Sequence, residues 1–463
     1  MKKLLFIFLL SSFLSNAQNT EGTVVSTSNQ PISDVNIVCS SKNFKTLSDR
    51  KGKFIIRKES SFNETDTLQF SHIGYQISRI SFKELKMLNF KISLKEETES
   101  LSEIAVSANG KLKLKSKIAF TKLAPLKNAI YSFGSFVKDG KIYIVGGDAS
   151  YESDAFQKAK DKTVNTDTEI FMKTFYDELR RQEGSHSYRG DFLIYDINTD
   201  SWQTSEIKFK KRAYNKLHYY DNKIYVLGGK RISGNAKFEY LENEIEVLDL
   251  SKNTITIDKT NPHQAVNFSS FTYKDNIIVM GGSIKTTLKG KKTFTNKVRF
   301  YNIPSGLWYE LSDMPTAKEA NGALIGDKIY LIGGNNGQPL SEIVSLNLLD
   351  EKWQTEGDLF SPIENPAVTS QNNTIYIFND RRLYVYDVKS NRLKEYLIDL
   401  ELKSSTMHFY GDKLYIIGGY TYNEYSTNPS AATYSISVDE FENTKPIRIK
   451  TLIQKTSLVK ENQ

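Results

Sequence analysis

The sequence predicts an all-β chain: a small β-sandwich over residues 18–108, then a ring of repeated four-stranded sheets over 123–463. Three observations predict it. A glycine pair closing a run of strand formers recurs through the last three-quarters of the chain, and a second turn signature recurs in step with it. Ahead of both, short β-branched runs alternate with turn residues. Composition agrees: 39% apolar and 12% aromatic residues, with only 10 Pro in 463, make a globular balance that excludes collagenous and disordered classes. The 26 Tyr and 26 Phe lean it towards strands.

The first 17 residues stand apart from the fold. Lys2 and Lys3 form a charged start, Leu4 to Leu14 an apolar run, and Ser15-Asn16-Ala17 a small-residue cleavage site before Gln18. The run is shorter than the roughly 20 apolar residues a spanning helix needs, so a secretory signal peptide is expected, with no transmembrane segment in the mature chain. No cysteine stands directly after Ala17, which argues against a lipid anchor. Export to the periplasm, the outer-membrane surface or the medium is the expected location. The single cysteine, Cys39, allows no internal disulfide there, so stability must come from sheet packing. The net charge of +8 falls to +6 without Lys2 and Lys3. The one lysine run, Lys111, Lys113, Lys115 and Lys117, alternates with Leu112 and Leu114 and reads as the solvated side of a strand or linker, so no nucleic-acid partner is expected.

Over residues 18–108, Thr23-Val24-Val25, Val35 to Val38, Lys53 to Ile56 and Thr67 to Phe70 read as strands, with Asn29-Gln30-Pro31 and Asp49 to Gly52 as turns. The order Gly22 to Val25, Pro31 to Val35, Ser48-Asp49 with Gly52 to Phe54, and Phe70 to Tyr75 resembles the carboxypeptidase regulatory-like domain, a transthyretin-like sandwich. The version found ahead of the plug in TonB-dependent receptors looks similar, and Leu101 to Ala108 resembles the segment that ends it there. That resemblance implies an accessory module without catalytic residues. His72 has no acidic or histidine neighbour at metal spacing and reads as a turn residue. Gly52 and Gly74 are expected to serve turns with unusual backbone angles.

Residues 109–122 read as a linker or a closing strand. Beyond them the glycine-pair motif appears at Lys141 to Gly147, Lys223 to Gly229, Asn276 to Gly282, Lys328 to Gly334 and Lys413 to Gly419, with a degenerate copy at Thr374 to Asn379. The second signature is fullest at Tyr195-Asp196-Ile197-Asn198-Thr199-Asp200-Ser201-Trp202 and is echoed at Tyr301 to Trp308, Leu346 to Trp353 and Tyr386 to Leu393. Fainter echoes lie at Leu248 to Ile255 and Ile436 to Asn443, so both signatures give six units. A glycine pair, a hairpin turn and a tryptophan in units of roughly 50 residues resemble the kelch pattern, which implies a six-bladed β-propeller. The last unit lacks its fourth strand. Lys115 to Leu123, ahead of the first unit, and Ile447 to Ile453, after the last, both qualify to supply it, the former being favoured.

In a propeller the loops between second and third strands crowd one face. The first unit carries a long insertion there, 148–190, in which Thr166 to Glu169 has capping-box spacing and Ile170, Phe171, Phe175 and Leu179 mark a helical apolar face. It reads equally as a lid or as a loop packed on the adjacent unit. Fourteen positions before each glycine pair stand Ser132, Tyr214, Asn267, Glu319 and Ser404, with Asn365 at the matching place in the degenerate unit; all are polar. Arg212, Lys318, Glu364 and Lys403 lie beside them. Ligand binding is therefore expected at Tyr214, Asn267, Lys318, Asn365 and Lys403, on a mouth suited to a glycan, a peptide or an envelope protein. The candidates for acid–base chemistry are Glu319, Glu364 and Arg212, with solvated channel residues as the plainer reading of the two carboxylates.

The remaining inventory predicts no cofactor and no metal. A copper enzyme resembling galactose oxidase needs a cysteine crosslinked to tyrosine, and residues 123–463 contain no cysteine. His186, His218, His263 and His408 are scattered among units without metal spacing, and no phosphate loop or nucleophile elbow is present. The expectation is a non-enzymatic binding protein of a bacterial envelope. The alternative is a sugar epimerase or mutarotase, since six-bladed kelch propellers also resemble the secreted sialic acid epimerases.

Overall fold

The computed structural model describes residues 20–454 apart from 43, 57–61, 73–74, 96–113, 163–167, 183–186, 235–237, 288–289 and 424. The signal-peptide residues, Gly74, Lys111, Lys113, Leu101 to Ala108, His186 and the Thr166 capping position lie outside the described residues. The chain divides after Leu112 into two compact units.

The first unit is two sheets over one apolar core. Thr20–Ser26 is flanked by Lys53–Ile56 and Lys91–Leu94, while Asn36–Cys39, Phe44–Leu47, Thr67–Ser71 and Ser78–Ser81 make the second sheet. Alternation does the sorting: in Lys53–Ile56 the side chains of Phe54 and Ile56 enter the core and those of Lys53 and Ile55 face out. Val24, Ile37, Cys39, Phe54, Leu68 and Phe70 fill the interior. Gly52 sits at φ 71°, where a Cβ would stand 2.4 Å from the Val24 carbonyl. Helix α1 (Phe82–Met87) was not read from the sequence, although Ser81 and Glu84 form a full capping box at its start.

The second unit contains, among the described residues, five four-stranded sheets and one five-stranded sheet that succeed one another around a ring. Their first strands are Gly134–Lys138, Lys216–Tyr220, Ser269–Tyr273, Glu319–Ile325, Ala367–Gln371 and Thr406–Tyr410. Each touches the first strand of the sheets before and after it, and the sixth touches the first, which makes a closed ring. Thr121–Lys122 takes the fourth place in the sixth sheet by pairing with Thr433–Ser437, while Arg448–Thr451 adds a fifth strand to the fifth sheet. The first and last strands of the second unit are thus sewn into neighbouring sheets. The apolar clusters lie between sheets; Ile118, for example, packs with Tyr396, Ile398, Met407 and Leu414.

The repeated residues have clear physical jobs. Trp202 packs at a tilt against Tyr195 with ring centroids 4.9 Å apart and donates its indole N–H to the Ala124 carbonyl at 2.9 Å, satisfying a polar group that would otherwise be stranded at the sheet edge. In the second sheet Gly229 adopts φ 81°, and a Cβ there would lie 2.2 Å from the Ala213 carbonyl. The fifth sheet needs no glycine pair, because Asp380 (φ 37°) and Arg381 (φ 52°) turn the chain directly from its second strand into its third.

Helices α2 (Ala155–Lys162) and α3 (Thr168–Gln182) form the insertion of the first sheet. Phe171 and Phe175 stack and close on Phe156 of α2. Ile170 departs from the expected apolar face, being half exposed, and the buried position belongs to Glu178, which binds Lys158 at 2.7 Å. The insertion also contributes the strand Glu152–Ser153, which pairs with Ser426–Pro429 beside the sixth sheet.

Candidate functional site

At one end of the ring, just past each glycine pair, the chain pairs back onto the segment leading into the first strand: Tyr131 with Asp148, Ala213 with Lys230, Val266 with Ser283, and Lys403 with Tyr420. One residue after each bridge the backbone turns left-handed, at Ser132 (φ 51°), Tyr214 (63°), Asn267 (52°) and Ser404 (49°). Asn365 (39°) does the same in the fifth sheet. Such a conformation costs a non-glycine residue about 1 kcal/mol or more. Five of them border one cavity of about 90 Å³ on the ring axis, with Asn215, Lys216, Asn321, Ser405 and Thr406 also in its wall. That volume accommodates a few waters or a small ion and is well below the roughly 300 Å³ at which sites for drug-sized ligands begin.

Below the cavity the first strands are polar towards the axis and bond to one another across sheets. His218 holds Thr272 and Ser270, each at 2.9 Å, and His408 holds Ser135 at 2.9 Å. Burial pulls His218 down to about 3, helped by the nearby Lys216 charge, and His408 down to about 4. Both imidazoles are neutral hydrogen-bonding partners, and neither contributes to a metal cluster among the described residues.

Above the cavity stands an uneven wall. The insertion of the first sheet is joined to the hairpin Tyr420–Tyr422 and Ser426–Pro429 of the sixth. The second sheet raises the hairpin Lys230–Ile232 and Glu239–Leu241, and the third raises Ser283–Thr286 and Lys292–Phe294. Tyr188 donates its hydroxyl to Glu239, which also binds Lys230, and the Lys230 ammonium lies 4.9 Å from the centre of the Tyr214 ring. Tyr131 and Tyr420 meet edge to face at 5.2 Å. Burial, then neighbouring carboxylates and phenols, push Tyr131, Tyr188 and Tyr214 well above the ordinary tyrosine range, so all three remain neutral phenols. Between the second and third hairpins runs a groove of about 510 Å³ lined by Phe238, Tyr240 and Ile284.

Comparison with known proteins matches both units. Residues 180–380 fit the KLHDC2/KLHL20/DRC7 Kelch-repeats domain, and residues 20–106 fit the CarboxypepD_reg-like domain. The chain carries kelch repeats behind a carboxypeptidase-regulatory-like domain. Similar proteins include Kelch-like protein 38 of Rattus norvegicus, 26% identical over 50% of this chain and 39% of that protein. Kelch-like protein terF of Aspergillus terreus is 22% identical over 55% of this chain and 60% of its own length. The chain therefore spans less than two-thirds of these relatives. A solved structure titled "Structure of YjhT" is 12% identical, covering 68% of this chain and 99% of that one with a TM-score of 0.48.

Within the kelch ring the sequence candidates separate. Tyr214, Asn267 and Asn365 line the axial cavity. Glu319 does not: the fourth sheet's first strand already begins there, so its backbone is extended and its side chain is fully buried on Ser283 at 2.7 Å and Lys292 at 2.9 Å. Ala320 and Asn321 take its place at the cavity. Lys318 is likewise buried, on Glu342 at 2.9 Å, and Arg212 is buried on Glu246 with the Glu244 carbonyl, so both hold structure together away from the mouth. Lys403 lies off the axis, its ammonium 5.2 Å from the Tyr422 ring centre, in a smaller cavity with Asp380 and Glu401. Glu364 is exposed, in contrast to the ion-paired Glu319, the other carboxylate candidate for acid–base chemistry. Lys216 was missed, although strand alternation from Tyr214 points to it. Tyr188 and Lys230 were missed because only tertiary contact brings them to Tyr214.

Proposed function

We propose that this kelch protein is an exported, non-enzymatic binding protein of a bacterial envelope, whose uneven kelch face captures an extended segment of a protein partner. The observation that carries this reading is the tyrosine-rich wall over the first, second, third and sixth sheets, which leaves the fourth and fifth sheets as a low rim. The exposed Tyr240 and Tyr422 and the half-buried Tyr214 and Tyr420 offer large, stiff contact surfaces with hydroxyl ends, the residue type that concentrates binding energy at interfaces. The sandwich serves as a spacer or docking module. The epimerase alternative gains no support from the site, because Glu319 and Arg212 are each ion-paired in the interior.

Selection of a displayed random-peptide library on the mature protein tests this, with a glycan array run in parallel. Peptides whose capture is lost in Tyr240→Ala and Tyr422→Ala support the proposal. Ligands from either library that bind both variants as well as wild type overturn it, and glycan-only capture replaces a protein partner with a sugar.

A further inference from the structure

The axial cavity has a property that the outer face does not explain. Lys216 is partly buried in its wall, and no carboxylate lines the cavity with it. The fully buried cations among the described residues each meet an acid, Lys318 on Glu342 and Arg212 on Glu246, and the largely buried Lys158 meets Glu178. Lys216 has no ion pair among the described residues, and burial alone lowers its pKa to about 8. An ammonium held in such a place is disfavoured unless a counter-charge joins it.

The rest of the wall supplies hydrogen-bond donors. Ser132, Tyr214, Asn267, Asn365 and Ser405 bring hydroxyls and amides to the cavity, four of them on left-handed backbone that fixes them at its mouth. The titratable neighbours do not compete for the charge. Tyr214 is held as a neutral phenol, and His218, on the same strand, is kept neutral by burial with both ring nitrogens occupied by hydroxyls. The cavity, about 90 Å³, is large enough for one small ion together with several waters.

We propose that this cavity is a binding site for one compact monovalent anion, such as chloride or formate, with the Lys216 ammonium as its counter-charge. One negative charge balances the single positive one, whereas a dianion would leave a net charge buried. The anion would tie together first strands that meet around the axis, independently of what the outer face binds. Because the ammonium form is required, affinity falls as pH rises through about 8 and beyond.

The test is the line width of chloride NMR in the presence of the mature protein, with formate as competitor. Excess broadening that formate removes, that is lost in Lys216→Met and that declines in alkali supports the site. Equal broadening in Lys216→Met, or none in wild type, overturns it. Bromide-soaked crystals of the wild-type protein give a reading that needs no variant: an anomalous peak within about 3.5 Å of the Lys216 ammonium supports the site, and peaks only on outer lysines overturn it.

Discussion

The two sides of the kelch ring are built differently. The sixth, first, second and third sheets carry long connections after their second strands, and these rise into the helical insertion and three hairpins. The fourth and fifth sheets turn back at once, the fourth through Asn336 to Gln338 and the fifth through Asp380 and Arg381. The fifth sheet is instead reinforced at its outer edge by Arg448–Thr451, and the sixth is completed there by Thr121–Lys122. The neutral, buried histidines also belong to the walled side: His218 in the second sheet, His408 in the sixth, and His263 in the lead into the third. One repeat thus serves two ends, with length added towards the axial face where recognition is proposed and strands added at the rim where the unit's first and last strands are held.

The strongest test of the walled side is Glu246→Ala. It strands Arg212, which is fully buried, and should cost about 3–5 kcal/mol in urea unfolding. On the strapped side, Ile118→Ala opens a hole among Tyr396, Ile398 and Leu414 and should cost about 2–4 kcal/mol, with hydrogen exchange rising first in the fifth and sixth sheets. A smaller loss would mean that the amino-terminal strap contributes little.

Acid should separate the sides. His218, His263 and His408 stand at about 3, 4 and 4 in the folded chain, against 6.5 for an ordinary histidine. The unfolded chain therefore takes up protons that the native one refuses, and the histidine contribution, complete above pH 6.5, is lost as pH falls towards 4 and below. Hydrogen exchange at pH 4.5 should rise in the second, third and sixth sheets before the fourth and fifth; uniform loss would put the acid sensitivity elsewhere. Tyr188→Phe removes one charge-assisted bond to Glu239 and should cost about 1 kcal/mol while loosening the second-sheet hairpin. Phe238→Ala, at an exposed tip, should change stability by less than about 0.5 kcal/mol and weaken peptide capture, which separates recognition from folding.

How much was legible depended on how local the cause was. The glycine pairs and the tyrosine–aspartate–tryptophan turns declare themselves because each answers a short-range need: a left-handed backbone, a tight turn, a packed ring with a bonded indole. Counting back from the glycine pairs found Ser132, Tyr214, Asn267 and Ser404, since the same turn recurs at the same distance. It failed at Glu319, where the fourth sheet keeps its strand two residues longer and so changes which side chains reach the axis. Arg212 and Lys318 looked like mouth residues because their acids, Glu246 and Glu342, lie many residues further along the chain. α2 went unread, and Ile170 was placed on the wrong side of α3, because the insertion buries Glu178 with Lys158 and keeps its apolar contacts to Phe156, Phe171 and Phe175.

The sequence by itself determined the two kinds of unit, the six repeats and the positions of the turns, because periodicity and turn chemistry act over a few neighbouring residues. The tertiary structure alone decided which polar residues meet on the axis, which charges are neutralised between sheets, and where the first and last strands of the ring are stitched. Those outcomes depend on partners remote in the sequence, whose burial and pairing exist only once the ring has closed.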